Sequence, residues 1–310
     1  MRILLHRADG KTEPWIKDFA RHLPEAEVVV WQEGAKFPPC DYAVVWSPPE
    51  AMLRELAEVK AIFLTGAGAD AILKFEHEIS HDIPIVRLSD AGMGVQMAEY
   101  VAHAVLRHFR RFDEYELQAR HGTWLQLPQH HKEDFAVGVL GMGVLGMRVI
   151  HAVKEFGFPV RGWSRTEKRV EGVQCFDGPD GLDTFLRGSN VVVCMLPLTP
   201  ETSNILNRSN MLKLPEGAYI INVARGAHVN EPDLLNLIKS GHIAGATLDV
   251  FRNEPLPAPH PFWEEQRITI TPHIAALTLR RESVQQIAGK IRQLENGEPI
   301  ADVINRLHGY

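Results

Sequence analysis

The sequence predicts an α/β protein built on two doubly wound, mostly parallel sheets. Three observations carry this reading. Up to residue 97, short β-branched runs alternate with helical patterns; from residue 97 to 122 the apolar spacing becomes that of one long helix; from Phe135 a second series of strand-like runs follows. The chain has 310 residues and is 45% hydrophobic, enough for two ordinary cores.

In the first series, strands are expected at residues 1–6, 27–31, 42–46, 60–65 and 83–87, with helices between them. Val101, Val105, Phe109 and Phe112 then recur every three or four positions along a helix ending near Gly122, long enough to bridge domains or subunits. The second series opens at Phe135 and continues through 160–163, 190–195, 219–223, 246–250 and 268–271, six strands in all. After Ala276 one amphipathic helix remains, with Val284, Ile287, Ile291 and Leu294 on one face. The first series lacks a closing helix, so this one is expected to pack back on it. The resulting domains are 1–97 with 277–310, and 98–276.

Composition narrows the function classes. The 33 basic and 39 acidic residues leave a net charge of −6 with no basic block, which argues against nucleic acid as a partner. Cys40, Cys175 and Cys194 form no paired ligand spacing, so they read as reduced thiols of a cytoplasmic protein with no metal site. The apolar start of the chain is too short for a secretory core, and no run approaches the roughly eighteen apolar residues that span a bilayer. No membrane association is expected.

The run Phe135-Ala-Val-Gly-Val-Leu enters Gly141-Met142-Gly143-Val144-Leu145-Gly146 and leaves as a helical pattern, the shape of a dinucleotide-binding turn. Gly141 permits the tight turn, Gly143 lets backbone approach a pyrophosphate, and Gly146 lets the helix pack on its strand. The anion is then met by the helix N-terminus. Some twenty residues on, where an acid would bind the ribose hydroxyls of NAD, the chain has Trp163-Ser164-Arg165-Thr166 instead. A guanidinium there suits a 2′-phosphate, with Lys168 and Arg169 adding positive field, so NADPH is expected over NADH.

Arg225, Glu254 and His273 fall at or just past expected strand ends, the edge where open α/β sheets bind ligands. A cation for a carboxylate, and a proton donor held by an acid, are the parts needed to reduce a 2-oxoacid. Of the fifteen histidines, His121, His130 and His131 are read as loop residues.

These residues carry a resemblance. The glycine turn, Leu196-Pro197-Leu-Thr-Pro-Glu-Thr202, Asn222-Val223-Ala224-Arg225-Gly, Leu248-Asp249-Val-Phe-Arg-Asn-Glu254-Pro-Leu-Pro257 and Thr271-Pro-His273 together resemble the D-isomer-specific 2-hydroxyacid dehydrogenase family over essentially the whole chain. Trp163 to Thr166, Asp41 to Pro49, Thr65-Gly-Ala67-Gly68-Ala69-Asp70 and the terminal Gly309-Tyr310 resemble the branch that reduces glyoxylate to glycolate and hydroxypyruvate to glycerate. The resemblance implies two Rossmann-like domains, an active-site cleft between them, and a homodimer formed largely through the cofactor domain.

It also implies roles. His273 is the general acid, Glu254 orients its imidazole, and Arg225 binds the substrate carboxylate and carbonyl. Asp249 accepts from the nicotinamide carboxamide, and Leu196, Pro197, Val223 and Ala224 line the cofactor. In the first domain the backbone of Ala67, Gly68 and Ala69, between a strand and a helix, is placed to cradle the carboxylate. Trp46 walls the pocket against large side chains, and Trp124 is placed to reach a partner subunit. Phosphoglycerate or phenylpyruvate dehydrogenases, and a dinucleotide-sensing corepressor, are the alternatives.

Overall fold

The structure is a computed structural model that describes residues 1–56 and 58–309. Tyr310, half of the terminal motif quoted above, lies outside them. The chain divides into two compact units, Met1–Met93 with Thr278 onward, and Gly94–Leu277.

In the first unit, β1 (Arg2–Arg7), α1 (Glu13–His22), β2 (Glu27–Val30), β3 (Tyr42–Trp46), α2 (Glu50–Arg54), β4 (Ala61–Leu64), α3 (Asp70–Leu73) and β5 (Ile85–Val86) follow in order. The strands form one parallel sheet in the order β2-β1-β3-β4-β5. Ile3, Leu4 and Leu5 are consecutive and all buried, as expected of a parallel strand covered on both faces. Strand order reverses between β1 and β3, where Arg7 and Trp46 are register partners. That carboxyl-end crevice is the natural ligand position of such a sheet.

The second unit holds α4 (Met93–Phe109), α5 (Phe112–Arg120), β6 (Val137–Leu140), α6 (Val144–Glu155), β7 (Val160–Ser164), β8 (Gln174–Asp177), α7 (Gly178–Arg187), β9 (Val191–Cys194), α8 (Arg208–Met211), β10 (Ala218–Asn222), α9 (Glu231–Ser240), β11 (Ile243–Leu248) and β12 (Ile268–Ile270). Its strands are all parallel, in the order β12-β11-β10-β9-β6-β7-β8, with the switch point between β6 and β9. Val101 and Val105 of α4 share a buried cluster with Val149, Ile150 and Val153 of α6. Two expectations are corrected here. The sheet has seven strands, because β8, a short, partly exposed edge strand, lacks an apolar run. The long helix is broken: Arg111 takes a left-handed backbone, φ 59°, and its guanidinium is tied to Glu114 at 2.7 Å and to the Pro128 carbonyl at 2.8 Å.

The last helix, α10 (Arg280–Glu295), belongs to the first unit. Val284, Ile287 and Ile291 are buried, each worth about 1.5–3 kcal/mol of apolar transfer. Its start is clamped to α1 by Arg280 donating to the buried Asp18 at 2.5 Å, a hydrogen bond that holds the Asp18 carboxyl below its usual pKa.

Candidate active site

The three glycines of the β6–α6 turn do three different things. A Cβ on Gly141, at φ 107°, would lie 2.7 Å from the Met195 carbonyl, and one on Gly146 would lie 1.9 Å from the Gly141 carbonyl. Both positions are closed by the protein itself. Gly143 caps α6 in an extended conformation, and a Cβ there meets nothing within 4 Å. The space it leaves is open and faces unpaired helix amides, a cradle for an anion. Val144 is exposed beside it and Leu145 partly so, whereas the Met142 side chain is buried beneath the turn. Met142 meets the site through backbone: its carbonyl accepts from Lys168 Nζ at 2.6 Å, which brings a cation to the turn.

At the end of β7, Trp163 is 8% exposed and its indole donates to the Gly178 carbonyl at 2.8 Å. Its side chain is core; its carbonyl, accepting from Gly141 N at 2.9 Å, is what touches the turn. Ser164 Oγ donates to the Thr166 carbonyl at 2.8 Å, which shapes the loop so that Arg165 and Thr166 are exposed. Arg165 lies close enough to Glu201 to help hold that carboxyl below its usual pKa, after the larger effect of the Thr199 hydroxyl. Arg169 pairs with Glu167 at 2.9 Å. Leu196, Val223 and Ala224 are buried at the ends of β9 and β10, and Pro197 is partly buried beside Leu196.

His273 and Glu254 are brought into contact. His273 Nδ1 lies 2.8 Å from Glu254 Oε2, and Glu254 Oε1 accepts from Phe251 N at 2.9 Å, so the carboxylate is held at both oxygens. The imidazole is 49% exposed and sits on a left-handed backbone, φ 56°. Asp249 holds that turn. Its carbonyl accepts from His273 N at 2.8 Å, and its carboxylate accepts from Thr271 Oγ1 at 2.6 Å and from the amides of Ile274 and Ala275, both at 2.8 Å. A carboxylate offers about four acceptor positions, and three of those on Asp249 are filled from within the protein, on a group 1% exposed.

Arg225 follows β10 and is partly buried, with Nη1 donating to its neighbour's carbonyl, Ala224 O, at 2.7 Å. A Cβ on Gly226 would lie 1.9 Å from Phe251 C. The missing side chain lets the arginine turn seat on the backbone that leads to Glu254. His228 is a residue the sequence reading missed; its ring reaches the backbone of both Arg225 and Pro197. The available signal was a polar residue three places after a strand-end arginine. His130, read as a loop residue, does lie in a loop, and its ring centroid is 5.2 Å from that of Phe135.

The remaining candidates lie in the first unit. Trp46 ends β3, is 42% exposed, and has the Arg7 guanidinium 5.0 Å over its ring, with Trp15 on the same guanidinium at 4.7 Å. Ala67, Gly68 and Ala69 lie in the loop from β4 to α3. The helix they open spans only Asp70–Leu73, so an anion there would be met by loop amides with little help from a helix dipole. Trp124, by contrast, follows α5 in the second unit and is fully exposed.

Residues 102–275 match the family model for the NAD binding domain of D-isomer specific 2-hydroxyacid dehydrogenases. A curated relative, glyoxylate/hydroxypyruvate reductase A of Yersinia enterocolitica, is 45% identical over the full length of both chains. Among solved structures, a D-isomer specific 2-hydroxyacid dehydrogenase of Xanthobacter autotrophicus in complex with NADPH and MES is 39% identical, with a TM-score of 0.95 over 100% of this chain and 99% of that one. The NADPH-dependent glyoxylate/hydroxypyruvate reductase of Sinorhizobium meliloti, in complex with NADP and sulfate, is 33% identical, with a TM-score of 0.92 over the same shares.

Proposed function

The chain belongs to the D-isomer specific 2-hydroxyacid dehydrogenase family, and from that premise we propose that it reduces small 2-oxoacids with NADPH, glyoxylate to glycolate and hydroxypyruvate to glycerate. The observation that carries the reaction is the His273–Glu254 pair at 2.8 Å on a strand-end loop. With Nδ1 engaged by the carboxylate, Nε2 is the atom that gives a proton to the substrate carbonyl oxygen. Glu254, accepting from Nδ1, fixes the plane of the ring. The Arg225 guanidinium binds the substrate carboxylate and draws electron density from the carbonyl. NADPH, when bound, supplies the hydride that reaches the carbonyl carbon.

The fit of that cofactor rests on the open face at Gly143, on Lys168 at the turn, and on a β7 end that presents Arg165 with no acid in the motif. The same reading takes the protein as a cytoplasmic homodimer, supported by three unpaired cysteines and by exposed Phe112, Trp124 and Leu125.

The test is consumption of NADPH and of NADH against glyoxylate, hydroxypyruvate, pyruvate and phenylpyruvate, with His273→Gln beside the native enzyme. The variant is expected to lose about 10²–10⁴ in turnover while NADPH affinity holds. Near-normal turnover would remove the histidine from the mechanism. NADPH binding without consumption of any oxoacid would favour a dinucleotide-sensing role.

A further inference from the structure

His228 is fully buried, an uncommon place for a titratable ring, and the mechanism above does not use it. Its Nε2 lies 3.2 Å from the Pro197 carbonyl; its Nδ1 lies 3.2 Å from the Arg225 amide nitrogen and 3.0 Å from the Arg225 carbonyl. A neutral ring donates from Nε2 to Pro197 and accepts the Arg225 N–H. A charged ring keeps the bond to Pro197 and donates from Nδ1 to the Arg225 carbonyl. Burial disfavours the charged form, but the Cys194 sulfur and the two carbonyls outweigh it and raise the pKa. Either way the ring bridges the same two segments.

Those segments leave neighbouring strands, β9 and β10, at their carboxyl ends. Pro197 belongs to the loop expected along the cofactor, and its carbonyl also accepts from Thr202 Oγ1 at 2.7 Å. Arg225 carries the substrate carboxylate in the proposed reaction. A ring that only filled core space would need no polar contact on both nitrogens, and an apolar side chain would serve as well.

We propose that His228 is a positioning residue that ties the Arg225 turn to the Pro197 loop, so that the substrate cation and the cofactor wall keep one spacing. The inference rests on the reading of Arg225 and Pro197 given above. Two substitutions separate its two bonds. In His228→Gln the amide extends to where Nε2 stood, keeping Pro197 and losing Arg225; in His228→Asn the amide stays where Nδ1 stood, keeping Arg225 and losing Pro197.

His228→Gln is expected to raise the KM for glyoxylate, at saturating NADPH, by about five- to tenfold with the NADPH Kd near native. His228→Asn is expected to weaken NADPH by about the same factor and to spare the glyoxylate KM. Amide hydrogen exchange gives the second readout and needs no turnover: it should quicken around residues 224–228 in the first variant and around residues 198–203 in the second. Should native protein fail to reduce glyoxylate, the functional reading falls while exchange still decides the tether. Both constants shifting together in step with a lowered melting temperature, or exchange quickening equally in both segments, would overturn the proposal. Each variant has its own expected and forbidden change, so one that fails to fold leaves the other decisive.

Discussion

Gly143→Ala separates the folding of the glycine turn from its use. Gly143 has φ −76° and ψ −170°, which alanine adopts without strain, and the added methyl meets no protein atom within 4 Å. Its effect on stability should be small: about 0.4–1 kcal/mol gained from a less flexible unfolded chain, set against a slightly poorer helix cap. The methyl does stand where the open cradle faces. If a pyrophosphate approaches the backbone there, it must retreat and lose a charge-assisted hydrogen bond of about 1.5–3 kcal/mol, or roughly ten- to 150-fold in affinity. Fluorescence titration with NADPH and thermal melting of the same samples read the two effects apart. Gly146→Ala is the contrast, because its methyl would lie 1.9 Å from the Gly141 carbonyl and must displace backbone. That variant should lose about 3 kcal/mol of stability or more. A Gly143→Ala protein that melts like the native and binds NADPH equally well would show that no phosphate approaches that backbone.

Arg165→Ala should raise the KM for NADPH about ten- to hundredfold more than that for NADH, from loss of a charge-assisted contact to a 2′-phosphate; a native enzyme that prefers NADH would defeat the idea. Trp46→Ala should raise the ratio of phenylpyruvate to glyoxylate activity by about tenfold, measured as kcat/KM, and an unchanged ratio in a folded variant would return the ring to a packing role. Asp302 is held below the ordinary aspartate value of 3.8: burial opposes this, but Lys290 at 2.8 Å and the Ser89 hydroxyl outweigh it. A lowered folded pKa gives stability that is present above 3.8 and lost as pH falls through the folded value. Asp302→Asn should therefore lower the unfolding free energy at neutral pH by about 3 kcal/mol, for a largely buried Lys290 left without its carboxylate, and the loss, read by denaturant unfolding, should shrink in acid.

Both sheets were legible because buried parallel strands are near-continuous apolar runs; residues 42–46 needed no adjustment and most others moved by a residue or two. Strand β8 was not, since Gln174-Cys-Phe-Asp177 sits at an edge with little apolar face to announce it. The break at Arg111 was invisible for a different reason: no glycine or proline marks it, and its cause is tertiary, an arginine tied to Pro128 seventeen residues away. At the site, residue type and strand-end position pointed to His273 and Glu254, which the fold places in contact. Trp163 shows the limit of that logic. A motif identifies a position and not which part of the residue faces the ligand, and here the side chain is core while the backbone meets the turn. His228 escaped because its one signal, a polar residue three places after a strand-end arginine, is weak among fifteen histidines until its partners are known.

The bare seat of Gly226 on Phe251 and Arg252 bears on how this scaffold can be re-engineered. A library meant to widen the proposed oxoacid pocket would reach first for the neighbours of Arg225, and residue 226 adjoins it. Any side chain there, even a methyl, would wedge the Arg225 loop off the segment that leads to Glu254 and so disturb the settings of both residues at once. Position 226 should be left invariant in such a library, and diversity directed to Trp46, whose ring ends a strand with exposed surface to give.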